Sequence, residues 1–111
     1  MPTYITQGRY SREAIKGMIV KPEDRADAVS RAMARVGGRL VGYYVTLGDY
    51  DFLTICEAPD ETHMMAVLLA AAGGGGVTGL RTTVAVPSTD ATGAFAAAAD
   101  VVPAFKSAGG V

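Results

Sequence analysis

The order of hydrophobic patterns along the chain predicts an α+β domain: a four-stranded antiparallel sheet with two helices on one face. Three observations carry the prediction. Two runs rich in β-branched and aromatic residues flank Gly48-Asp49 within residues 42–58 and read as a hairpin. Ala26, Val29, Ala32, Met33 and Val36 recur at spacings of three and four, the period of an amphipathic helix. Pro59-Asp60-Glu61-Thr62 opens a second helical pattern between the hairpin and a last strand-like run.

Taken in order, residues 4–10 form the first strand, ended by Gly8 and by Ser11, a good helix N-cap. Residues 12–20 follow as a short helix interrupted by Gly17. Pro22 suits the first turn of the next helix, with Glu23 and Asp24 near its positive end. Asp24, Arg25, Asp27, Arg31 and Arg35 fall mostly off its apolar stripe, and Gly37-Gly38 ends it. In the hairpin, a two-residue Gly48-Asp49 turn pairs Leu47 with Tyr50 and Val45 with Phe52. Alternation sends Asp51, Leu53, Ile55 and Glu57 to one side and Tyr50, Phe52, Thr54 and Cys56 to the other. On the preceding strand Val41, Tyr43, Val45 and Leu47 oppose Gly42, Tyr44 and Thr46. Neither side is cleanly polar, so both faces of the sheet call for cover: helices on one, a partner subunit on the other.

Asp60 is the N-cap expected for the helix that carries Met64, Met65, Val67, Leu68 and Leu69. Four glycines, residues 73–76, stop it. They read as a flexible connection, because the lysine and hydroxyl of a phosphate-binding loop are missing and the run follows a helix instead of opening one. The last strand starts at Val77 or Leu80 and reaches Val86, before Pro87. The order strand, helix, strand, strand, helix, strand is the βαββαβ, ferredoxin-like arrangement. Residues 1–87 thus make the domain. Residues 88–111 are an alanine-rich C-terminal extension, read either as a helix capped by Ser88-Thr89-Asp90, containing Phe95 and stopping before Pro103, that covers a sheet edge or a partner subunit, or as partly disordered.

A chain of 111 residues, half of them hydrophobic and with a net charge of −1, supports one domain with one core. Its weak charge gives no electrostatic footprint for nucleic acid or an anionic membrane surface. The single cysteine, Cys56, excludes an internal disulfide and a multi-cysteine metal site, and mid-strand it reads as a small buried hydrophobe. The most apolar run, residues 64–72, is well short of the ~20 residues that span a bilayer. With no basic segment leading into an apolar one at the start, a soluble cytoplasmic protein is expected. The residues call for no cofactor.

Asp51 is the sharpest candidate for chemistry. A carboxylate opening an apolar strand must find water, a backbone donor or a cation, or else have its pKa raised by desolvation. A raised pKa suits a general base; the competing reading is turn chemistry that holds the hairpin. His63, the only histidine, offers a base or a haem ligand if it faces a pocket, and an exposed helix residue otherwise. Tyr4, Tyr44 and Tyr50, with Tyr43, lie on neighbouring predicted strands and can line a pocket for a small apolar or aromatic ligand. Equally, they can cross-pack as sheet and interface aromatics. The pattern Tyr-x-Thr-x-Gly-x-Tyr occurs at residues 4–10 and again at 44–50 and reads as shared strand-ending chemistry. Arg9 and Arg81 read by default as solvated surface charges and otherwise as partners for acidic ligands, and Met64 and Met65 are core or interface filler.

With these residues quoted, the chain resembles the GYD family, small proteins named for a Gly-Tyr-Asp signature. The likeness rests on Pro2-Thr3-Tyr4-Ile5-Thr6, Gly8-x-Tyr10-Ser11 and Val36-Gly37-Gly38, on Tyr44-Val45-Thr46-Leu47-Gly48-Asp49-Tyr50-Asp51, and on Glu57-Ala58-Pro59-Asp60-Glu61. It covers residues 2–87; the four-glycine run and the extension look like additions. The resemblance implies a dimeric α+β barrel, a homodimer packed through the open sheet face, and leaves higher assembly open. It carries over no catalytic residues. Two readings follow: a non-catalytic dimer that binds a ligand or partner, and, as the alternative, a small cofactor-free enzyme of monooxygenase, cyclase or isomerase type. In the second, Asp51 or His63 is the base acting on a small apolar substrate.

Overall fold

In the computed structural model, which describes residues 1–106 and 108–110, strand β1 (Thr3–Tyr10) lies inside a four-stranded antiparallel sheet. The sheet order is β2-β3-β1-β4, with β2 Arg39–Val45, β3 Phe52–Glu57 and β4 Val77–Ala85. Helices α1 (Arg12–Val20) and α2 (Ala26–Arg35) join β1 to β2, and α3 (Glu61–Gly73) joins β3 to β4. This is the ferredoxin-like order read from the sequence. Helix α4 (Ser88–Val101) follows β4 and runs into a 3-10 turn at Val102–Ala104.

Caps set the helix starts. The Ser11 hydroxyl accepts the Ala14 N–H at 3.1 Å, and the Asp60 carboxylate accepts the His63 N–H at 3.0 Å. Before α2, Asp24 Oδ1 accepts the Ala26 N–H at 2.9 Å. That contact starts the helix beyond Pro22, which therefore lies in the connecting loop and not in the first turn.

The hairpin differs from its expected form. Val45 does pair with Phe52, but the ladder ends there, and residues 46–51 form a wider loop. Side chains explain the departure: the Thr46 hydroxyl donates to the Tyr50 carbonyl at 2.8 Å, and the Thr46 N–H donates to the Asp51 carbonyl at 2.8 Å. Strand β2 also carries a bulge. Leu40 pairs with Cys56 and Gly42 with Ile55, so Val41 is an extra residue and the alternation resets. Leu40 and Tyr43 thereby come to the same face, opposite the buried Cys56 and Thr54. Alternation would have put Val41 in the place that Leu40 takes, and Val41 is exposed instead. A second irregularity lies on β4, where Gly79 takes φ +60 between the pairs Gln7↔Arg81 and Arg9↔Thr78.

The core sits between the sheet and helices α2 and α3. Tyr4, Met33, Cys56, Ala58 and Met64 are buried, with Val29, Val36, Leu40, Val67 and Leu68 packed around them. Cys56 is the small buried hydrophobe expected, and burial raises its thiol pKa. Helix α1 contributes no buried residue, and neither does α4, whose Phe95 is 78% exposed. The radius of gyration is 18.2 Å, whereas a compact domain of this length measures about 13 Å. Within the extension expected over residues 88–111, Ser107 and Val111 lie outside the described residues. Among the described residues, no helix is long and apolar enough to cross a membrane.

Gly38 marks where α2 returns to the sheet. A Cβ there would overlap the Glu57 carbonyl oxygen and stand 2.9 Å from the Met33 side chain. Backbone cannot move aside as a flexible side chain can, so Gly38→Ala should lower unfolding free energy by about 1–3 kcal/mol in urea titration.

Candidate functional site

A cavity of about 620 Å³ opens between the helix-facing side of the sheet and helices α1 and α3. Its floor comes from β1, β3 and β4 through Thr6, Phe52, Thr54 and Leu80, and its roof from Met18 on α1 with Val67 and Leu68 on α3. The Thr6 and Thr82 hydroxyls bond to each other at 2.8 Å, which satisfies the polar groups of the floor near β4.

An aromatic group closes one end. The Tyr10 ring lies 5.1 Å from that of Phe52, and the Tyr43 ring lies 5.9 Å from Phe52. The Tyr10 and Tyr43 hydroxyls meet at 2.5 Å. Burial and this hydrogen bond raise the Tyr43 pKa far above the ordinary tyrosine value, so its hydroxyl keeps its proton at physiological pH. Beside it a hollow of about 380 Å³ shares Tyr10, Tyr43, Met18, Glu23 and Arg25 with the cavity. The charged Glu23 and Arg25 thus gather beside the Tyr10–Tyr43 pair.

Of the candidate site residues read from sequence, Tyr43 lines the cavity, whereas Asp51, His63, Tyr4, Tyr44 and Tyr50 do not. Asp51 sits at the junction of β1 and β3. Its carboxylate accepts the Tyr10 N–H at 2.9 Å and its own N–H donates to the Gly8 carbonyl at 2.8 Å. His63 is half-exposed on the first turn of α3, with Nδ1 2.6 Å from the Asp60 carboxylate. Hydrogen bonds from His63 lower the Asp60 pKa. Tyr4 is buried in the core, its hydroxyl without a partner among the described residues, and burial raises its pKa. Tyr44 is exposed on the opposite sheet face, and Tyr50 lies under the Arg9 guanidinium, 4.8 Å from ring centroid to Cζ. Among the described residues, no three histidine, cysteine, aspartate or glutamate side chains gather as a metal site.

Tyr10 is the site residue that sequence reasoning missed. The sequence held one trace of it, as the second tyrosine of the repeated pattern at residues 4–10. Alternation from the buried Tyr4 and Thr6 also carries it to the helix side of β1, within reach of Tyr43.

On the opposite sheet face Ile5 pairs with Ile55 and Leu53 with Tyr44, and Gln7 lies beside them between Leu53 and Arg81. An ion pair between Arg39 and Glu57 borders it at one end, and Arg9 stacked on Tyr50 borders it at the other.

Known proteins share this architecture. A family model described as the GYD domain matches residues 4–95. A Thermus thermophilus protein named glutamine synthetase and cystathionine beta-lyase binding protein is 32% identical over 91 residues. That alignment spans 81% of this chain and 94% of the relative. The crystal structure of TTHA0845, also from Thermus thermophilus, superposes with a TM-score of 0.50, over 78% of this chain and 95% of the other, at 19% identity. The latter likeness is one of fold.

The Asp51 geometry separates a clamp from a base. Asp51→Asn keeps an acceptor for the Tyr10 N–H and should unfold within about 1 kcal/mol of the parent, whereas Asp51→Ala leaves that donor unpaired and should cost about 1–3 kcal/mol. Urea titration of the two variants measures the difference.

Proposed function

The chain belongs to the GYD domain family, and from that premise we propose that it is a binding protein: a homodimer that docks onto partner enzymes and does not itself turn over a substrate. The observation that carries the reading is the relative described by its name as a binding protein for two enzymes, aligned over 94% of its length. Glutamine synthetase and cystathionine beta-lyase are the partners in that name, and the same two enzymes are proposed here.

Two features support the reading. Asp51 and His63 are each engaged in local hydrogen bonds away from the cavity, so neither stands where a base would meet a substrate held there. Ile5, Leu53, Ile55 and Tyr44 form an apolar group flanked by Gln7 and Arg81 and by the Arg39–Glu57 pair, the mixed composition of an interface with a polar rim. A second copy of the chain packed on this face is the proposed occupant, and it gives the sheet its missing layer. The dimer then presents its helical sides to partners.

Isothermal titration against the glutamine synthetase and the cystathionine beta-lyase of the chain's own organism tests this. Binding to at least one of them is expected at a Kd of about 1 μM or tighter. No heat of binding with either enzyme would overturn the assignment of partners.

A further inference from the structure

Helix α1 lies over a space that the chain does not fill. Its residues Ala14, Gly17 and Met18, with Lys21 at its end, recur at three and four and all border the cavity, so one face of the helix is turned toward it. Gly17 is in the middle of that face, and a Cβ built on it would meet no atom within 4 Å. Glycine is a poor helix former, so a mid-helix glycine with free room before it weakens α1 with no packing gain. What it does leave is open volume.

The polar end of that volume has a definite chemistry. When two hydroxyls share one hydrogen bond, one donates and the other keeps its own hydrogen free. The Tyr10–Tyr43 pair, at 2.5 Å, therefore offers one O–H to a third group, and the donated bond polarises it toward an acceptor. The rings of Tyr10 and Tyr43 each stand within 6 Å of Phe52 as a continuous aromatic wall, suited to the face or edge of another ring. Of the charged residues that line the cavity, the Arg25 guanidinium is held by Glu23 at 3.3 Å, and Lys21 has no carboxylate partner among the described residues. Asp24 borders only the adjoining hollow, so the cavity lining itself carries a net positive charge. A cavity of about 620 Å³ is in the range that encloses a small organic molecule.

We infer that this cavity is a binding site for a small ring-bearing apolar molecule carrying one carbonyl or carboxylate oxygen. The oxygen accepts from the Tyr10–Tyr43 pair and the hydrocarbon body lies under α1 against Met18, Val67 and Leu68. The site is separate from the open sheet face, and the inference holds whether or not the protein docks onto enzymes.

Three probes of matched size test it on the full chain: 2-acetylnaphthalene, 2-naphthoate and 2-ethylnaphthalene, titrated calorimetrically. The two oxygenated probes should bind at least about fivefold tighter than the hydrocarbon, the worth of one net hydrogen bond. A stronger response to 2-naphthoate than to the ketone assigns a carboxylate ligand through Lys21, and the reverse order assigns a neutral carbonyl. The double variant Tyr10→Phe/Tyr43→Phe removes both members of the pair and should abolish the preference for 2-acetylnaphthalene over 2-ethylnaphthalene while still binding 2-ethylnaphthalene. Gly17→Leu fills the space and should weaken all three probes by about tenfold or more, with a Tm equal to or above that of the parent because leucine is the better helix former. Lost binding beside retained stability cannot come from misfolding. Equal affinity for the three probes, or unchanged binding by a folded Gly17→Leu variant, would overturn the inference.

Discussion

Three strands meet at Asp51. Its N–H reaches the Gly8 carbonyl on β1, its carboxylate takes the Tyr10 N–H, and its carbonyl takes the Thr46 N–H at the end of β2. The carboxylate bond anchors Tyr10 where β1 leaves the sheet, and the anchored ring packs on Phe52 and reaches Tyr43. Of the two readings the sequence offered for Asp51, a base or turn chemistry that holds the hairpin, these bonds match the second, and the aromatic end of the cavity is built on them. The energetics agree with that role, because an unpaired backbone N–H in a half-buried setting costs more than the bond itself contributes.

The rest of the molecule shows how a short chain leaves room inside itself. Only a few apolar residues are deeply buried, two of them methionines, whose flexible side chains fill irregular space without demanding close complementarity. Helices α2 and α3 supply the packed half of the roof. The other half is α1, which turns Ala14, Gly17 and Met18 toward the cavity and buries none of its own side chains. The core and the cavity thus divide one sheet face between them.

Much of this was legible in the sequence, and the exceptions have causes. Strand and helix order came from periodicity, and the caps at Ser11 and Asp60 came from residue chemistry close to each helix start. The pairing of Val45 with Phe52 was right although the turn was not, since register depends on the hydrophobic pattern while loop length answers to side-chain bonds such as those of Thr46 and Asp51. That register also put Tyr43 beside Thr54 on the helix side, where it lines the cavity. Farther along β2 the same alternation failed, because the extra residue at Val41 hands the core position to Leu40, and bulges leave little mark in an isolated sequence. A cleft between sheet and helices with tyrosines in its lining was anticipated, but only Tyr43 among those named lines it, and its size was not legible. It arises from what faces inward at Ala14 and Gly17, a matter of three-dimensional convergence that spacing alone does not reveal.

The remaining sheet face decides what kind of molecule this is. Native mass spectrometry of the full chain at micromolar concentration is the most direct test of the account of a dimeric binding protein. A dimer gives a species at twice the 11.4 kDa chain mass. A species at the chain mass alone would contradict it, because Ile5, Leu53 and Ile55 would then face water with no second layer to cover them.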